Sequence, residues 1–107
     1  MARPIALVTG ASSGIGERIA LRLASSGSDL VLVARRGDEL ARVAALAAAE
    51  GAACETIVAD LSQGVDVAKV EARIADDSRP IEILVNNAGY GRFGKLTELD
   101  GAGEANE

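Results

Sequence analysis

Residues Thr9-Gly10-Ala11-Ser12-Ser13-Gly14-Ile15-Gly16 place three glycines and two serines in one short loop between an apolar run and a helix-like pattern. Backbone amides in such a loop converge with the positive end of the following helix, which stabilises an anion. Gly10 permits the tight turn and Gly14 lets the backbone approach a pyrophosphate. Gly16 allows close packing of helix on strand, while Ser12 and Ser13 can donate hydroxyl hydrogen bonds. A merely flexible turn needs one glycine rather than three at these spacings, and a P-loop is disfavoured because no Gly-Lys-Ser/Thr follows. Two further groups close apolar runs: Asp60-Leu61 and Asn86-Asn87-Ala88-Gly89. On residue type alone Asp60 could cap the next helix, and the asparagine pair could bond only neighbouring backbone. Histidine is absent and Cys54 is the one cysteine, so Ser-His-Asp and Cys-His catalysis and thiolate or imidazole metal sites are excluded.

The elements that must position these groups follow a repeating order. Ile5-Ala6-Leu7-Val8 is a short apolar run bounded by Pro4 and Gly10, the pattern of a strand buried on both faces. Ile15, Ile19, Leu23 and Ala24 then recur at helical spacing until Gly27, a C-terminal stop. Leu30-Val31-Leu32-Val33 repeats the strand pattern, and Leu40, Val43, Ala44 and Ala47 mark a second helix ending at Gly51. Ile57-Val58-Ala59 reads as a third strand. Val67, Val70 and Ile74 form a third helical stripe with Ser62 as its candidate cap, and Ile81 to Val85 read as a fourth strand. Alternating strands and helices, with strands too apolar to face water, predict an α/β fold: a Rossmann-type doubly wound parallel sheet covered by helices on both faces. Four strands in the order 3-2-1-4 precede a polar, Gly-rich tail, so the domain is expected to be incomplete within residues 1–107, the chain continuing past Glu107.

Composition agrees with a single folded domain. The 107 residues are 49% hydrophobic, enough for one modest core. A net charge of -5, with no basic cluster beyond Arg35-Arg36, argues against a nucleic-acid partner. No apolar stretch reaches the about 20 residues needed to cross a bilayer, and the N-terminus has no signal-peptide pattern, so no membrane association and a cytoplasmic location are expected. Cys54 is read as a small core hydrophobe in a reducing compartment.

The spacing T-G-x-x-x-G-x-G, here T-G-A-S-S-G-I-G, resembles the cofactor loop of the short-chain dehydrogenase/reductase family. The sugar-nucleotide epimerase branch instead uses T-G-x-x-G-x-x-G. Asn86-Asn87-Ala88-Gly89 is similar to the family's N-N-A-G, and Asp60 stands where the family keeps an adenine-contacting aspartate. The resemblance runs from residue 4 to roughly residue 95. It implies that Gly10, Ser12, Ser13, Gly14, Ile15 and Gly16 hold the dinucleotide cofactor's phosphates, that Asp60 bonds the adenine amine and that Leu61 borders the ring. The backbone of Asn87, Ala88 and Gly89 would run along the adenosine ribose. N-N-A-G and Arg35 argue against an S-adenosylmethionine methyltransferase on a similar sheet.

The second strand ends Val33-Ala34-Arg35-Arg36, and Arg35 stands 19 residues after Gly16, close to where NAD enzymes place an acid for the ribose 2′-hydroxyl. A guanidinium there can fork onto a 2′-phosphate that a carboxylate would repel, so NADP(H) is expected to be preferred over NAD(H), with Arg35 and Arg36 in the site. The alternative is a solvated pair that merely opens the second helix.

The family resemblance further implies hydride transfer between nicotinamide and a small-molecule carbonyl or alcohol substrate, with a Tyr-x-x-x-Lys pair moving the proton. An unperturbed tyrosine, with pKa about 10, is a poor base at neutral pH unless nearby positive charge stabilises its phenolate. The one tyrosine, Tyr90, is followed at the fourth position by Gly94, and Lys95 falls at the fifth. No catalytic residue is therefore assigned, and these 107 residues alone are expected to be inactive. A Tyr-x-x-x-Lys about 45 to 60 residues past Glu107 would complete an enzyme, on the spacing of two more strand-helix units. The resemblance implies a homo-oligomer for that complete form. The alternative is a non-catalytic nucleotide-binding module completed by another chain.

Overall fold

In the computed structural model, which describes residues 3–12 and 14–87, the apolar runs become strands that all point the same way. In chain order the elements are β1 (Ile5–Thr9), α1 (Gly14–Ser25), β2 (Asp29–Ala34), α2 (Gly37–Ala49), β3 (Cys54–Val58), α3 (Gly64–Ile74) and β4 (Ile83–Asn86). The sheet order is β3-β2-β1-β4. β1 lies at its centre, with Leu7 beside Val31 on one flank and Leu84 on the other, and Thr9 beside Val33 and Asn86. This is the Rossmann-type 3-2-1-4 arrangement anticipated from the strand-helix alternation.

Because side chains alternate across a strand, each strand feeds two cores. Ala6, Val8, Leu30 and Leu32 face α1 and α2, packing against Ala20, Ala24, Leu40, Val43 and Ala47. Leu7, Val31, Val33 and Leu84 face the other way, onto Val70 of α3 with Val67 and Ile74 at its margin. Helices therefore cover both faces. Each fully buried leucine or valine contributes about 1.5–3 kcal/mol relative to exposure. Gly27 and Gly51 stop α1 and α2 as expected, both in the left-handed region, at φ 108° and 95°.

Four expectations change. The buried stripe of α1 is Gly16, Ala20 and Ala24 at i, i+4, i+8, whereas Ile15 is exposed and Ile19 and Leu23 are half-buried. Small residues face the sheet because α1 lies close to β1, and larger side chains are displaced to the helix flanks. β3 is not buried on both faces: it is the sheet's edge, with Thr56 and Val58 exposed, and it spans 54–58 rather than 57–59. Ser62 does not cap α3, which starts at Gly64 after an extended Gln63 that makes no side-chain cap bond. β4 begins at Ile83 rather than Ile81, and Ile81 is buried ahead of the strand.

Cys54, also on β3, is half-buried and packs against the core beneath α1 and α2. Burial first, and the Asp29 charge second, push its thiol above the ordinary value. That keeps it protonated and inert at neutral pH. The edge at β3 is stiffened by charge: Arg73 donates through Nε to Glu55 at 3.1 Å and through Nη1 to the Arg79 carbonyl at 2.8 Å. This ionic knot sits near the start of β3, leaving the carboxyl ends of the strands to the loops.

Candidate functional site

The loop after β1 carries the glycines over the carboxyl end of the sheet. Gly10 has φ 65° and Gly14 φ 37°, conformations that side chains with a Cβ rarely adopt. The Ala11 amide donates to the Val33 carbonyl at 3.1 Å, strapping the loop to the end of β2. Gly16 is needed for a different reason. A methyl group there would run into the Gly10 carbonyl and lie 2.7 Å from the Asn87 side-chain amide. Asn87 Nδ2 donates to that same carbonyl at 3.4 Å, and the Thr9 hydroxyl donates to Asn86 Oδ1 at 3.0 Å. The asparagine pair thus ties the end of β4 to the end of β1 and to the glycine loop, in addition to anything it does for a ligand.

Beside this loop lies a cleft of about 510 Å³. Gly10 and Ser12 form one end, Arg35 and Arg36 at the close of β2 form the middle, and Asp60 and Leu61 form the far wall. Asn87 also reaches it. Glycine-loop, β2 and β3 residues separated widely in sequence are brought together at the carboxyl ends of neighbouring strands, where open α/β sheets bind ligands. Gly14, Ile15 and Gly16 form the first turn of α1 and are not part of the cleft wall. Ser13, Ala88, Gly89, Tyr90 and Lys95 lie outside the described residues.

Charge is arranged unevenly along the cleft. Arg35 and Arg36 are both exposed, and among the described residues no hydrogen bond or ion pair holds Arg35. Arg36 stands 3.9 Å from Asp38, both side chains largely in water, so that contact fixes little. Opposite them, the Asp60 carboxylate accepts the Ser62 hydroxyl at 2.6 Å and the Ser62 amide at 3.0 Å. These bonds, helped by the Arg35 charge, hold the Asp60 carboxyl below its ordinary pKa. Asp60 is therefore an ionised acceptor on the cleft wall and does not cap α3; its partner Ser62 closes a turn around it.

Two contributors escaped the sequence reading. Glu39, in the first turn of α2, lines the cleft. Its signal was its position four residues after Arg35, one turn into a helix that starts at the cleft. Asp66, in the first turn of α3, accepts the Asp60 amide at 2.7 Å. Lys69 donates to the Val58 carbonyl at 2.8 Å and pairs with Asp66 at 3.3 Å. That Asp60 hydrogen bond first, and Lys69 second, hold the Asp66 carboxyl below its ordinary value. The loop bearing Asp60 is thereby held from α3.

Among the described residues the cleft wall offers guanidinium, carboxylate, hydroxyl and amide groups but no tyrosine or lysine. Such a surface can bind and orient an anionic nucleotide. No helix among the described residues is long and apolar enough to cross a membrane.

Comparison with known proteins agrees with this geometry. A family profile described as short chain dehydrogenase matches residues 4–103. Sepiapterin reductase of Chlorobaculum tepidum is 41% identical over 102 residues, covering 89% of this chain and 42% of that protein. A bulky-bulky ketone specific alcohol dehydrogenase from Comamonas testosteroni superposes with a TM-score of 0.76 at 44% identity, over 86% of this chain and 38% of that one. A short-chain dehydrogenase from Sphingobium yanoikuyae in complex with NADPH gives a TM-score of 0.75 at 46% identity, over 94% of this chain and 39% of that one. The chain thus spans about two-fifths of the length of these proteins.

Proposed function

The chain belongs to the short-chain dehydrogenase family, whose members bind a nicotinamide dinucleotide, and from that premise we propose that residues 1–107 form the N-terminal portion of a single NAD(P)-binding domain that prefers NADP(H) to NAD(H). The observation that carries the preference is Arg35: it stands at the close of β2, on the cleft wall, and among the described residues no hydrogen bond or ion pair holds it. A guanidinium there forks onto a 2′-phosphate and stacks on adenine, whereas an acid would accept the 2′-hydroxyl and repel the phosphate. Asp60 accepts the adenine amine, Leu61 borders the ring and Asn87 lies along the ribose. At the other end Gly10, Ser12 and the orphan amides of the first turn of α1 receive the pyrophosphate. The fit is favoured by Gly16, which has no room for a Cβ, and by the open left-handed turn at Gly14.

When bound, the cofactor supplies or accepts a hydride at the carbonyl or alcohol carbon of the substrate. These residues bind and orient its adenosine and phosphate portion and carry no Tyr-x-x-x-Lys, so we assign the whole protein the oxidoreductase activity and the 107 residues none of it.

Titrating NADPH and NADH separately into the protein, by calorimetry or by quenching of nicotinamide fluorescence, tests the preference. A charge-assisted contact of about 1.5–3 kcal/mol predicts NADPH to bind about 10- to 100-fold tighter. Arg35→Asp should reverse the ratio. Equal affinities in wild type, or an unchanged ratio in the variant, would overturn the reading. Oxidation of NADPH by the 107 residues with a panel of carbonyl substrates would overturn the assignment of no turnover.

A further inference from the structure

Glu39 is out of place in a cleft that prefers a phosphate. It lies four residues after Arg35, in the first turn of α2, lines the same wall and carries the charge that a 2′-phosphate would avoid. Its carboxylate is, however, already engaged. Arg42 donates through Nε to Glu39 Oε1 at 3.0 Å, and its Nη2 lies 3.0 Å from the same oxygen. Arg42 in turn forks onto Glu17 of α1, Nη1 to Oε2 at 3.1 Å and Nη2 to Oε1 at 2.9 Å. One guanidinium thus spans two helices and holds two acids. A lone Arg-Glu pair one turn apart on an exposed helix is weak and exchanges with water, but the bidentate arm to Glu17 fixes the direction from which Arg42 approaches Glu39.

We propose that Glu17 and Arg42 are positioning residues that set cofactor preference, by keeping the Glu39 carboxylate neutralised and turned to Arg42 rather than available to ribose hydroxyls in the cleft. This rests on the reading of the cleft as the site of the cofactor's adenosine end. Without Arg42, Glu39 would act as the acid that NAD(H)-selective sites present, from a neighbouring position on the same wall. Arg35 makes the attractive contact with the phosphate, and the Glu17–Arg42 pair removes a repulsive one.

Dissociation constants for NADPH and NADH, measured on wild type, Arg42→Met, Arg42→Met/Glu39→Gln and Arg42→Lys, decide the matter. Arg42→Met should shift the affinity ratio toward NADH by about fivefold, the upper range for one exposed charge pair. Adding Glu39→Gln should restore the wild-type ratio. Arg42→Lys, which keeps the charge but cannot fork onto both acids, should fall between. A purely structural role would weaken both cofactors alike and would not be rescued by Glu39→Gln. An unchanged ratio in Arg42→Met, or a shift that persists in the double variant, overturns the proposal. A wild-type ratio near one would defeat the Arg35 reading alone, since the shift between wild type and Arg42→Met still reports on Glu39. Failure of wild type to bind either cofactor would overturn both.

Discussion

The two ends of the cleft are built by different means. The glycine-loop end is backbone: carbonyls and amides of Gly10 and Ala11, the packed Gly16, and the buried Thr9 at the sheet's centre. The rest of the cleft, out to the far end, is side chain: Arg35 and Arg36 are exposed and Glu39 and Asp60 half-buried, with Glu39 paired to Arg42 and Asp60 held in a turn by Ser62. Backbone contacts cannot be exchanged one residue at a time, whereas exposed side chains can. The first end should therefore govern whether the cleft exists, and the second what it selects.

The strongest way to break that division is Gly16→Ala. The added methyl meets backbone on one side and the Asn87 amide on the other, so strand, loop and helix must all shift. We expect a loss of about 3 kcal/mol of stability, at the upper range for overpacking, and weaker binding of NADPH and NADH alike. Urea denaturation of variant and wild type measures it, and a loss below about 1 kcal/mol would mean that the helix can lift from the strand without cost. Thr9→Val tests the same end more gently. Thr9 and Asn86 are register partners on β1 and β4, and the buried hydroxyl donates to Asn86 Oδ1 at 3.0 Å. Removing the donor at nearly constant volume should cost about 1 kcal/mol in the same measurement.

How much of this was legible in the sequence follows the same division. The glycine loop and the placing of Arg35 and Asp60 near strand ends came from local patterns, because glycine spacing and apolar runs carry their own geometry, and the strand order came from the fold class that their alternation implies. What failed depended on distant partners. β3 reads like the other strands, yet the order 3-2-1-4 leaves it one neighbour, so Thr56 and Val58 face water. Ile15 and Leu23 obey helical spacing, but the close approach of α1 to β1 selects Gly16, Ala20 and Ala24 for the buried stripe. Ser62 has the residue type of a cap, but Asp60 two residues earlier claims its amide and hydroxyl. The Glu17–Arg42 fork joins residues 25 apart on two helices, a contact that no local pattern announces.

At the far end, substitutions should leave the fold alone. Arg35→Ser removes an exposed side chain that no described residue holds, so stability should change by less than about 0.5 kcal/mol even as cofactor preference moves. A larger loss on denaturation would show that the charged end supports the sheet after all, and would erase the contrast with Gly16. The smallest effect concerns Asp60. Its carboxyl is held below the ordinary value, chiefly by the Ser62 hydroxyl and then the Ser62 amide. A depressed folded-state pKa contributes stability that is fully present above the unfolded value, about 3.9, and is lost as pH falls through the folded value. Near neutral pH this aspartate should therefore be fully ionised, with no pH dependence of its own between pH 6 and 8 (roughly two units or more above the unfolded value). Ser62→Ala, which keeps the amide bond and removes the hydroxyl, should move the Asp60 titration upward toward the ordinary value. Carboxyl carbon NMR on wild type and variant reads the two midpoints directly. Coincident midpoints would mean that the amide and Arg35 suffice to hold the charge, making the hydroxyl at 2.6 Å dispensable to this carboxylate on the cleft wall.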